Sequence, residues 1–143
     1  MKLLLYLPFL ISFSVFSQDW NTNLETAKSI AQENEQTIIL VFQGSDWCAP
    51  CMKLDRTIFQ SETFKSYAKS HFVMLKADFP RRKKNALSEK QQNHNKKLAE
   101  MYNKYGYFPH VVVLDGKGNV LGETGFKKTT PEAYIKLLES FKK

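Results

Sequence analysis

The chain has 143 residues and a formal charge of +7, from 21 Lys and Arg against 14 Asp and Glu, a size that accommodates one domain with a single sizeable core. Its only two cysteines stand as one CxxC, and His71, His94 and His110 lack zinc-finger spacing, so composition argues against a zinc site and no metal is expected. The basic excess gathers in Arg81-Arg82-Lys83-Lys84 with Lys90, Lys96 and Lys97, and the absence of aromatic residues from 81 to 97 argues against a nucleic-acid partner.

Met1-Lys2, then Leu3 to Phe16 nearly all apolar, then Ser17 read as the charged, apolar and cleavage regions of a signal peptide over residues 1–17. The apolar run of about 14 residues is short of the ~20 needed to span a bilayer, and Gln18-Asp19 is not a stop-transfer flank. No cysteine ends the leader, which excludes attachment through a cysteine thioether. A retained anchor is the alternative, and membrane contact is expected only in that case. The expected mature chain, residues 18–143, is therefore exported and periplasmic, and without Lys2 its formal charge is +6.

Leu24, Ala27, Ile30 and Ala31 recur at helical spacing within 23–36, and Thr37 to Phe42 is an apolar run suited to a buried central strand. Pro50 presets φ for a first helical position, so a helix is predicted to begin at about Pro50. Ser61-Glu62 opens a further segment with Phe64, Tyr67 and Ala68 on one face. His71 to Asp78 reads as a strand, and the second half of 87–105 as a helix with Leu98, Ala99, Met101 and Tyr102 as its stripe. Pro109 to Leu114 and Val120 to Thr124 are predicted to form a hairpin. Thr130-Pro131-Glu132 starts a last helix. From Thr37 the order β, α, β, α, β, β, α predicts an α/β fold with a central mixed sheet flanked by helices.

Cys48-Ala49-Pro50-Cys51 falls where the apolar strand gives way to a helix. Cys48 is expected just before the helix N-terminus, where free backbone N–H groups and the positive end of the dipole favour a thiolate. Cys51, one turn on, can reach the same sulfur. This suits attack by Cys48 and resolution by Cys51. A purely structural disulfide is the competing reading, although it would close only a tiny loop and gain little chain entropy.

Phe42-Gln43-Gly44-Ser45-Asp46-Trp47-Cys48-Ala49-Pro50-Cys51 resembles the thioredoxin superfamily, most closely its exported bacterial branch with a GSDWCxPC-type signature. Tyr107-Phe108-Pro109-His110, the run Val111 to Leu114 and Gly125 extend the resemblance over nearly all of the chain after the leader. What the resemblance implies is a thioredoxin-like fold and a thiol–disulfide oxidoreductase acting on protein cysteines, a reductase or isomerase rather than a strong oxidant. It further implies a cis peptide bond before Pro109, a substrate groove formed by Trp47, Pro50, Phe108 and Pro109, no organic cofactor, and a redox partner that recycles the dithiol. Two family positions differ. Phe42 stands where the family carries a buried acid, and Met74 where it carries a lysine, with Lys76 two residues on. Asp46 and Asp55 are the nearest acids in sequence and read as surface residues, so no general base is assigned. Those two departures motivate the alternative of a peptide-binding or chaperone-like module with little redox turnover.

Overall fold

The computed structural model describes residues 18–142, so the leader expected at 1–17 lies outside the described residues. The central run of apolar residues forms β2 (Thr37–Gln43), and its alternation decides the layering. Ile39 and Val41 face a core shared with Leu54, Phe59, Phe64 and Tyr134, whereas Ile38, Leu40 and Phe42 face a second core with Ala27, Ala31 and Leu98. A strand buried on both faces needs an unbroken apolar run, and that is what 38–42 supplies.

β2 lies between β3 (Phe72–Asp78), parallel to it, and β4 (His110–Leu114), antiparallel to it. β5 (Val120–Thr124) adds antiparallel to β4 as the second arm of the expected hairpin. The opposite edge is β1 (Trp20–Asn21), parallel to β3, which gives the five-stranded order β1-β3-β2-β4-β5. Sequence reasoning missed β1 because two residues carry no periodicity. β3 starts at Phe72, one residue later than expected, since His71 closes the preceding helix.

The helices are α1 (Leu24–Asn34), α2 (Ala49–Leu54), α3 (Glu62–His71), α4 (Glu89–Tyr102) and α5 (Pro131–Glu139). Asn23, Ser61, Ser88 and Thr130 cap four of them, each side chain accepting the N–H three residues on at 3.0–3.2 Å. α4 is longer than its apolar stripe predicts. Its polar first half is held by tertiary hydrogen bonds: Gln91 donates to the Thr22 carbonyl, His94 accepts the Leu24 N–H, and buried Asn95 donates to the Asp78 carbonyl. Among the described residues, no helix is long and apolar enough to cross a membrane.

Candidate active site

α2 begins at Ala49, one residue before the expected start, with Pro50 in its first turn, where a missing N–H costs no helical hydrogen bond. Cys48 is the N-cap, in extended conformation, and its sulfur accepts the Cys51 N–H at 3.3 Å. The sulfur thus takes the place that an Asn, Ser or Thr oxygen takes at the other caps. A donor aimed at Sγ from the positive end of a helix favours negative charge there, which is what a nucleophilic thiolate requires. Cys48 and Cys51 are joined as a disulfide, and each is 4% exposed. α2 does not run on regularly: Asp55–Phe59 forms a π-helical turn that places Ile58 and Phe59 in the core.

Every residue of Gly44-Ser45-Asp46-Trp47 is engaged around this helix start. Ser45 donates through N–H and Oγ to the Asp78 carboxylate at 2.9 and 2.6 Å. Asp46 accepts the backbone N–H groups of Arg81 and Arg82 and the Asn85 amide, each at 2.9 Å. The Arg81 N–H and the Asn85 amide are the chief reasons that its carboxyl is lowered to about 2. The Trp47 indole N–H donates to the Phe79 carbonyl at 2.7 Å, and its ring meets Phe108 edge-on with centroids 5.3 Å apart. That ring lies so close over Gly44 that an added Cβ would come within 2.1 Å of it, which accounts for glycine at this position. The motif is a clamp that ties the strand-to-helix turn to residues 78–85.

The Phe108–Pro109 peptide bond is cis. Pro50, Phe108 and Pro109 line one open groove together with Glu123 and Phe126. Trp47 and Phe108 line a second with Phe79 and Arg81. All six sequence-selected site residues therefore gather around one helix start and two grooves that meet at Phe108. Phe42 is fully buried beside His110, ring centroids 6.0 Å apart, so the position of the family's strand acid is filled by core. Lys76 sits 4.5 Å over the Trp20 ring, and Asp55 accepts a hydrogen bond from Gln60, which leaves both with partners of their own. Asp78 and Phe79 were not singled out from the sequence, and Arg81 was read only as part of the basic stretch, because only the fold brings them to Ser45, Asp46 and Trp47 beside the dithiol. Among the described residues no group of three or more His, Cys, Asp or Glu side chains is placed to hold a metal ion.

The thioredoxin-like family profile matches residues 19–116. The chain is 36% identical over 121 residues to the disulfide bond reductase DsbH of Chlamydia pneumoniae, covering 85% of this chain and 70% of that protein. It is similar to the solved structure of a DsbH oxidoreductase, with a TM-score of 0.81 and 30% identity over 99% of this chain and 94% of that one. A thioredoxin from Thermus thermophilus shares the fold at 16% identity and a TM-score of 0.64, over 87% of each chain. The profile, the 36% relative and the capped CxxC disulfide together place this chain in the thioredoxin-like family, as one of its thiol–disulfide oxidoreductases.

Proposed function

We propose that the protein works in the reducing direction, as an exported reductase of disulfides in periplasmic proteins. The observation that carries the thiol–disulfide exchange itself is the N-cap sulfur of Cys48 receiving the Cys51 N–H, a geometry that favours the thiolate form of the attacking cysteine. The direction draws support from the relative named as a disulfide bond reductase. The mature domain begins at Gln18 after removal of residues 1–17, and its location follows from that leader.

In the forward reaction the Cys48 thiolate attacks one sulfur of a substrate disulfide. A Cys48–substrate disulfide forms, and the substrate's other sulfur leaves as a thiolate that takes up a proton. The Cys51 thiol then gives up its proton and attacks Sγ of Cys48. The Cys48–Cys51 disulfide forms and the second substrate thiol is released, so two electrons have passed from the dithiol to the substrate. A dithiol donor must then restore the pair, since an oxidising compartment supplies no reducing pool. Trp47, Pro50, Phe108 and Pro109 form the walls against which the substrate chain rests.

The test is insulin reduction by the chemically reduced protein, together with a Cys51→Ala variant. Turnover by the native chain and accumulation of a Cys48-linked mixed disulfide by the variant are expected. Rapid turnover by Cys51→Ala, or alkylation of Cys51 ahead of Cys48 at mildly acidic pH, would sink the two-step route. N-terminal sequencing of exported protein should read Gln18 first.

A further inference from the structure

The basic stretch 81–97 is tied to the turn that carries the dithiol, and its first residue stands against Trp47. The Arg81 guanidinium lies 3.7 Å from the centroid of the Trp47 ring, and Trp47 is the residue immediately before Cys48. The backbone of the segment is fixed there by Asp46, which accepts from the N–H groups of both Arg81 and Arg82. The arginine side chains are exposed, and among the described residues no carboxylate lies within ion-pair distance of Arg81. The two nearby acids are turned to other work: Asp78 holds Ser45 and the Phe79 N–H, and Asp46 holds the segment itself. Residues 81–97 contain seven Lys or Arg and one Glu, so the local field is positive.

We propose that the groove between Trp47 and Arg81 selects protein disulfides whose cysteines are flanked by acidic residues, with Arg81 as the specificity-determining charge. The proposal rests on the reading of the protein as a reductase of protein disulfides. An arginine stacked on an aromatic ring keeps its donor fork free at the rim and loses little further rotamer freedom when a carboxylate arrives. The two grooves share Phe108, so a chain crossing the dithiol along the Pro50 and Pro109 side continues toward Arg81. A carboxylate there meets an unpaired guanidinium, whereas a lysine meets a like charge.

The test uses the full mature chain, reduced beforehand, and three disulfide-linked peptide dimers with Glu-Cys-Glu, Gln-Cys-Gln or Lys-Cys-Lys cores. Each rate is divided by the rate with dithiothreitol, which removes the intrinsic effect of flanking charge on disulfide reactivity. At low ionic strength the normalised Glu rate should exceed the Lys rate by about fivefold, the size expected of an exposed charge pair, and the ratio should fall toward one as salt shortens the screening length. R81E should bring the ratio to one or below, R81Q should reduce it, and R81K should keep part of it because the charge remains while the stacked fork is lost. K136E, an equal charge change on α5, should leave the ratio as it is. A native ratio at or below one overturns the proposal, as does a ratio that R81E and R81Q leave unchanged, while reduction of the Gln peptide still upholds the reductase reading. Failure of the native chain to reduce any of the three peptides would overturn both.

Discussion

Asp46 and Asp115 each organise a loop, at opposite ends of the sheet, by different means. Asp115 binds its own neighbours. Its carboxylate accepts the N–H of Lys117 and of Asn119 and the Asn119 amide, all within four residues, and Gly118 supplies the positive φ of 89° that closes the turn. Asp46 binds groups 35 to 39 residues away, and the loop it organises carries the redox pair and the basic rim. Both carboxyls are pulled below the usual carboxylate range by hydrogen-bond donors. The first arrangement belongs to a five-residue sequence. The second exists only once β2 and β3 are paired in register, which sets Gln43 beside Asp78.

The largest expected effect separates the two ends by chemistry. Cys48→Ser should lower insulin reduction by at least about 10³-fold, because the capping sulfur is the attacking one and Cys51 lies a turn inside the helix, while Asp115→Ala should leave kcat/KM within about twofold. An equal loss in both variants would show that the hairpin end also sets the dithiol. Leu40→Ala probes the strand that joins the ends. Leu40 is fully buried, and its truncation should cost about 2–5 kcal/mol in denaturant unfolding. A loss well below 1 kcal/mol would mean that the second core collapses to fill the space.

Asp115→Ala should cost about 1 kcal/mol and raise amide exchange within the β4–β5 hairpin. Asp46→Ala should instead raise exchange several-fold at the Arg81 and Arg82 amides and leave the hairpin amides as they are. If the hairpin responds to Asp46→Ala, the two loops are coupled and the comparison fails. The smallest effect is on pH. A carboxyl depressed from 3.8 to about 2 in the folded chain contributes its stabilisation fully above about pH 4 and loses it as pH falls through about 2. Protection of the Arg81 and Arg82 amides should therefore persist through pH 4 and fade below pH 3. Loss already at pH 5 would assign the clasp to a different group.

Local chemistry made much of the protein readable in advance. Capping residues, the proline of α5, the hairpin turn and the two-faced apolar run of β2 act through bonds or periodicities a few residues long, so the chain order of residues states them directly. CxPC after a strand belongs to the same class: the helix start and its cap are set within four residues. Where apolar periodicity was absent, the reading fell short. The first half of α4 is stabilised by Gln91, His94 and Asn95 reaching other elements, and β1 is a strand because β3 is there to pair with it. The clamp of Gly44 to Trp47 on residues 78–85, and with it the placement of Arg81 over Trp47, was decided by the tertiary structure alone. A hydrogen bond across more than thirty residues leaves no spacing in the sequence; the energy that selects it comes from burying the β2 and β3 side chains, and the polar partners are brought within reach only afterwards.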